Sequence, residues 1–128
     1  SQYISALLLI APTVENGLTL KLKGNITSKS YIKLTLELMA KFGIQYQWKE
    51  NEIFVPEQNY FARDFTCEAD WSGASYWYQI MAMLDSGEVL LENLLLDSLQ
   101  GDVNIATWFE KFGVVSTQKK EGVLLSKT

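Results

Sequence analysis

Ser28, Lys29 and Tyr31 stand within four positions of one another, and together they have the makings of a small-anion site. They open a stretch, Thr27 to Gly43, that reads as one helix. At a helix N-terminus the first backbone N–H groups lack partners, and the aligned peptide dipoles favour negative charge. A hydroxyl, an ammonium and a phenol placed there complete a pocket for a phosphate or carboxylate. Tyr31 adds a flat ring face to its hydroxyl.

The rest of the composition narrows the chemistry. The chain has 128 residues and no His, so His-based triads and His metal sites are excluded. The single Cys67 rules out an internal disulfide framework and reads as an inert small hydrophobe. Asp97 and Asp102 read as solvated loop carboxylates rather than metal ligands, and Asp70 as a helix cap. A net charge of −4 argues against nucleic acid, whose binders carry a basic face. No apolar run reaches membrane-spanning length, and the Ala6 to Ala11 run has no basic stretch before it. The expectation is a soluble, cytoplasmic protein.

The helix that carries the site has its own signals. Thr27 or Ser28 suits the N-cap, and Gly43 stands where helices turn left-handed and stop. Tyr31, Leu34, Leu38 and Phe42 recur at helical spacing, flanked by Ile32, Leu36 and Met39. Lys33, Glu37 and Lys41 form a solvent-facing ladder. Before this helix, Ala6 to Ala11 is apolar all round, as in a helix buried on every side. A chain that opens this way without Met reads as a piece of a longer protein. Leu18, Leu20 and Leu22 then alternate with Thr19, Lys21 and Lys23 in a half-buried strand. After the site helix, a hairpin turns at Glu50-Asn51 and ends at Pro56. Glu57 to Asp64 is a polar connection and the expected boundary.

The same order then returns, offset by 70 residues without a gap. The pairs are Ser5 with Ser75, Ile10 with Ile80, Gly17 with Gly87, Leu20 with Leu90 and Ser28 with Ser98. Lys41-Phe42-Gly43 matches Lys111-Phe112-Gly113, and Lys49 matches Lys119. Phe65 to Glu68 reads as a leading strand, and Asp70 or Ser72 as the cap of a helix to about Leu84. A further helix runs from about Val103 to Phe112. Trp71, Tyr76, Trp77 and Tyr78 read as core packing. The expectation is an α/β chain of two tandem βαβαββ-type units, 1–64 and 65–128, the first lacking its leading strand. Two helices are more apolar than any strand, which places helices inside and sheets outside.

Ser1-Gln2 with Ser5-Ala6-Leu7-Leu8, Ser28-Lys29-Ser30-Tyr31-Ile32, Glu68-Ala69-Asp70 with Ser72-Gly73-Ala74-Ser75-Tyr76, and Gln100-Gly101-Asp102 follow in this order. In this the chain resembles 5-enolpyruvylshikimate-3-phosphate synthases over its whole length, covering roughly the middle third of such an enzyme. The resemblance implies the enolpyruvyl transferase fold, two domains of three βαβαββ units each. Residues 1–64 would be the last unit of the shikimate-3-phosphate domain and 65–128 the first unit of the phosphoenolpyruvate-side domain. It implies transfer of enolpyruvyl from phosphoenolpyruvate to the 5-hydroxyl of shikimate 3-phosphate, without a cofactor. Ser1, Gln2, Ser28 and Tyr31 match shikimate-3-phosphate-binding positions.

The family usually has Pro where Ser30 stands, and often Gly and Ser where Ala69 and Gly73 stand. Its catalytic Lys, Asp and Glu and its phosphoenolpyruvate-binding arginines fall in stretches absent here, and Arg63 does not match them. The chain alone is therefore expected to be inactive, and its apolar helix surface to be covered either by non-native packing of the two units on each other or by self-association with a copy of the chain. The same fold serves UDP-N-acetylglucosamine enolpyruvyl transfer and RNA 3′-phosphate cyclisation, but Ser-Lys-Ser-Tyr favours shikimate 3-phosphate. The competing reading is a stand-alone α/β ligand-binding or regulatory module without catalysis.

Overall fold

A computed structural model describes residues 2–26 and 28–127. Ser1 and the alternative cap Thr27 lie outside the described residues. The chain divides into two compact units, Ser1–Phe65 and Thr66–Thr128.

The first unit runs α1 (Gln2–Ile10), a 3-10 turn (Ala11–Thr13), β1 (Leu18–Lys21), α2 (Lys29–Lys41), β2 (Gln47–Lys49) and β3 (Glu52–Val55). Its three strands are antiparallel in the order β1-β3-β2. The second unit runs α3 (Trp71–Met83), β4 (Gly87–Glu92), a 3-10 turn (Gly101–Asn104), α4 (Ile105–Phe109), a 3-10 turn (Glu110–Phe112), β5 (Val115–Gln118) and β6 (Gly122–Lys127). Its sheet order is β4-β6-β5, again antiparallel. Each unit is thus an αβαββ layer pair with its own core. The chain is mixed α/β, built on a repeated unit.

The repeat is visible in what is buried. Leu8, Ala11, Leu36, Ile44, Ile53 and Val55 are buried, and so are the residues 70 positions on, Tyr78, Met81, Ala106, Val114, Val123 and Leu125. Gly43 and Gly113 both close their helices in the left-handed region, at φ +88° and +80°, where only glycine sits without strain. The first strands break the ungapped offset. Ile53 pairs with Leu20, but Val123 pairs with Leu91, so β4 corresponds to β1 shifted by one residue. Side chains alternate across a strand, so a one-residue shift swaps faces. Leu91 is buried whereas Leu90 is exposed, and the expected Leu20–Leu90 and Gly17–Gly87 pairs are not structural equivalents.

Further expectations are corrected. Residues 65–68 form no strand; the backbone there is held by Asn93, whose side-chain amide donates to the Cys67 carbonyl and whose carbonyl accepts from Ala69 N–H. The helices are not wrapped on every side. Each unit has one sheet, which covers one face of each helix. Leu8 is buried, but Leu7, Leu9 and Ile10 are exposed, as are Tyr76, Trp77, Ile80 and Met83 of α3. Trp71 and Tyr78 alone of the four aromatics form core, and Cys67 is exposed rather than packed inside. On α2 the buried stripe is Ile32, Leu36 and Met39, not the Tyr31–Phe42 row. Each of those three contributes about 2 kcal/mol by leaving water.

Polar side chains fasten the start of α3. Asp70 caps it, accepting from Ser72 N–H and Gly73 N–H. Gln100 reaches back to the same turn: its Oε1 accepts from Trp71 N–H at 3.0 Å and its Nε2 donates to the Ala69 carbonyl at 2.8 Å. Glu68 accepts from Trp71 Nε1, Leu95 N–H and Ser98 Oγ, and Ser72 Oγ donates to Asp102. The Glu68-Ala69-Asp70 and Gln100-Gly101-Asp102 stretches therefore meet through Gln100 and Ala69, and their polar side chains are engaged at the start of α3 and in the loop after β4.

Candidate small-molecule site in the first unit

Helices α1 and α2 pack side by side in the first unit. Ser5, one turn into α1, meets Thr35, while Gln2 at the start of α1 shares a hollow with Tyr31 in the first turn of α2. The two helices therefore run in the same direction, with their N-termini at one end. The hollow has a volume of about 580 Å³ and is lined by Gln2, Ser5, Ala6, Leu9 and Tyr31. Two residues 29 positions apart in sequence, Gln2 and Tyr31, are brought to one surface.

Ser28 stands at the N-cap position of α2 and is half-buried, but its side chain makes no capping hydrogen bond. Its φ of −117° and ψ of 41° depart from the extended backbone that lets a cap hydroxyl reach back. The expected capping role of Ser28 is absent. Its carbonyl instead accepts from Tyr31 N–H and Ile32 N–H. Ser28 does not line the hollow, and Ser1 lies outside the described residues. Tyr31, expected on the apolar stripe, is 61% exposed. Ser5, named in the sequence as a repeat partner and within the resembling stretch but not as a site residue, is a wall of the hollow; its spacing of three from Gln2 puts both on one face of α1.

The described lining residues can hydrogen-bond through Gln2, Ser5 and Tyr31 and stack on the Tyr31 ring, and none of them carries a carboxylate, ammonium or thiol. Among the described residues no cluster of His, Cys, Asp or Glu could hold a metal, and no helix is long and apolar enough to cross a membrane. A second hollow, about 530 Å³, lies in the other unit between α3 and β4. It is mostly apolar, and its Asp70 is already engaged as a cap.

Other polar groups of the first unit serve the fold. Tyr46 Oη donates to Glu37, and its pKa is raised by burial first, then by the hydrogen bond and charge of Glu37. Tyr60 Oη donates to the Leu9 carbonyl, and burial raises its pKa. The Glu37 position in the expected solvent ladder is thus half-buried and partnered.

Repeated αβαββ units, the first with a mostly apolar hollow edged by Gln2, Ser5 and Tyr31 at two helix starts, define an α/β architecture. A sequence model described as EPSP synthase (3-phosphoshikimate 1-carboxyvinyltransferase) matches residues 1–128. The chain belongs to the EPSP synthase family. It is 46% identical over 128 residues to a 3-phosphoshikimate 1-carboxyvinyltransferase of Bacteroides fragilis, covering 99% of this chain and 31% of the relative. The protein of that name from Methanosphaera stadtmanae is 37% identical over 123 residues, 91% of this chain and 29% of the relative. That from a Nostoc species is 38% identical over 115 residues, 88% of this chain and 27% of the relative. The chain spans less than a third of the length of these curated relatives.

Proposed function

We propose that this chain supplies part of the shikimate-3-phosphate subsite of an enolpyruvyl transferase. In that reading the whole enzyme moves enolpyruvyl from phosphoenolpyruvate to the 5-hydroxyl of shikimate 3-phosphate, in the cytoplasm and on the path to aromatic amino acids. The observation that carries it is the shared hollow of Gln2 and Tyr31, two of the positions matched to substrate contacts. Two helix N-termini at the same end add a favourable field for a phosphate. Ser28 at the start of α2, and Ser1 by resemblance, extend the same subsite.

The first unit belongs, in this reading, to the shikimate-3-phosphate domain and the second to the phosphoenolpyruvate side. The chain alone carries part of one substrate's subsite and does not turn substrate over, because the acid–base groups that the resemblance implies fall in other stretches of the enzyme. Its exposed apolar helix faces favour self-association.

The test is a titration of shikimate 3-phosphate into the isotopically labelled chain, followed by NMR. Gln2, Ser5, Ser28 and Tyr31 should shift together and saturate, and Gln2→Ala and Tyr31→Ala should each weaken binding. With phosphoenolpyruvate added, phosphate release should stay at the blank rate. Saturating shifts centred on the second unit, or none at millimolar ligand, would overturn the assignment.

A further inference from the structure

Apolar contacts between helices are non-directional, so they hold α1 against α2 without fixing how far one slides along the other. A hydrogen bond does fix that, because it depends on angle as well as distance. Among the described residues one side-chain hydrogen bond links the two helices. Thr35 Oγ1 lies 3.1 Å from Ser5 Oγ and 2.9 Å from the Tyr31 carbonyl oxygen. The carbonyl only accepts, and Thr35 carries one proton. Thr35 is the donor in both contacts, so its one proton is shared between the Tyr31 carbonyl and Ser5 Oγ and ties the first turn of α2 to α1. Ser5 also lines the hollow.

Thr35 itself does not line that hollow. It sits one turn beyond Tyr31, as Ser5 sits one turn beyond Gln2. We propose that Thr35 is a positioning residue: through Ser5 it sets the register of α1 on α2, which brings Gln2 beside Tyr31. It also holds the Ser5 hydroxyl at the wall of the hollow, within reach of a polar group of the ligand. The ligand part rests on the proposed function; the register part does not.

The experiment uses the 128-residue chain with Thr35→Val, which keeps the shape and removes the hydroxyl, and Thr35→Ser, which restores it. In the free chain, NOEs between the Gln2 side-chain amide and the Tyr31 ring should be present in wild type and Thr35→Ser. They should be lost in Thr35→Val, while the resonances of Ile32, Leu36 and Met39 stay in place. Shikimate 3-phosphate should bind Thr35→Val roughly tenfold more weakly, the value of one hydrogen bond, and Thr35→Ser about as well as wild type. Should Thr35→Val fail to fold, Ser5→Ala removes the same link from the other helix and must show the same NOE loss. Retained NOEs in the folded variant overturn the proposal. NOEs that behave as expected in a chain that does not bind the ligand uphold the register and overturn the proposed function instead.

Discussion

Glu68 offers the sharpest perturbation of the second unit. Its carboxylate receives Trp71 Nε1 at 2.9 Å, Leu95 N–H at 3.1 Å and Ser98 Oγ at 2.7 Å. Glu68→Ala removes all three. Trp71 Nε1 keeps a second acceptor, the Leu95 carbonyl at 3.2 Å, and the loop N–H of exposed Leu95 can turn to water. The half-buried Ser98 hydroxyl is the group left poorest. Hydrogen bonds to a charged acceptor are each worth about 1.5–3 kcal/mol, and two of the three donors recover much of their loss, so the net cost is about 2–3 kcal/mol. Glu68→Gln keeps the shape and one acceptor oxygen. Its amide would donate to Ser98 Oγ, which already accepts from Gln100 N–H and has a second lone pair. Its cost is about 1 kcal/mol. Urea unfolding followed by tryptophan fluorescence reads this directly, since Trp71, Trp77 and Trp108 lie in the second unit and Trp48 in the first. Single-tryptophan backgrounds separate the two. A Glu68→Ala midpoint equal to wild type, or a Glu68→Gln loss equal to that of Glu68→Ala, would refute the bonding scheme.

Other outcomes follow from the same geometry. Gly122→Ala would place a methyl against the Leu91 carbonyl oxygen and 2.8 Å from the Glu92 Cα; rigid backbone cannot give way, so the β4–β6 pairing should weaken by about 3 kcal/mol, seen as a lowered melting temperature. Tyr46, Tyr60 and Tyr78 all have pKa values raised above 10.0, each mainly by burial, with the Ser116 hydrogen bond pulling Tyr78 the other way. Unfolded tyrosines ionise first as pH rises, so the unfolded state binds fewer protons and stability falls from about pH 10 upward. Tyr46→Phe should flatten part of that fall in denaturant titrations at graded pH. Light scattering across a concentration series should show mass rising with concentration; a strict monomer would remove the self-association proposal.

Much of the chain is legible because its signals are local. Asp70 as a cap, Gly43 as a stop, the hairpin around Glu50-Asn51 and the recurrence of Lys-Phe-Gly all depend on neighbours within a turn or two. What the residues alone did not reveal depends on partners far away. On α2 both Tyr31-Leu34-Leu38 and Ile32-Leu36-Met39 have helical spacing, and only the sheet decides which is covered. The helix Ala6–Ala11 looks buried on all sides, yet a single three-stranded sheet can cover only one. Residues 65–68 alternate like a strand, but Asn93 meets them with a side chain instead of a ladder. Gln100 and Glu68 act across 31 and 27–30 residues, and nothing periodic marks such pairs. In the candidate site, Tyr31 was legible from its place near a helix start, Gln2 from resemblance, Ser5 from its spacing of three from Gln2, and Thr35 only from the contact between helices.

The one-residue slip between β1 and β4 has a practical reading for anyone who recombines the two units. Helices, closing glycines and hairpins exchange at a spacing of 70, so grafts cut within those elements keep the pattern of inside and outside. A graft that carries the first strand at the same spacing would turn Leu90 inward and Leu91 outward, reversing the sheet face in a single step. The segment before β4 holds one residue more than its counterpart before β1, and the segment after it one fewer. A chimera made at those two joints, with the strand moved together with both of its linkers, preserves the register; any other junction trades a core leucine for a solvent one.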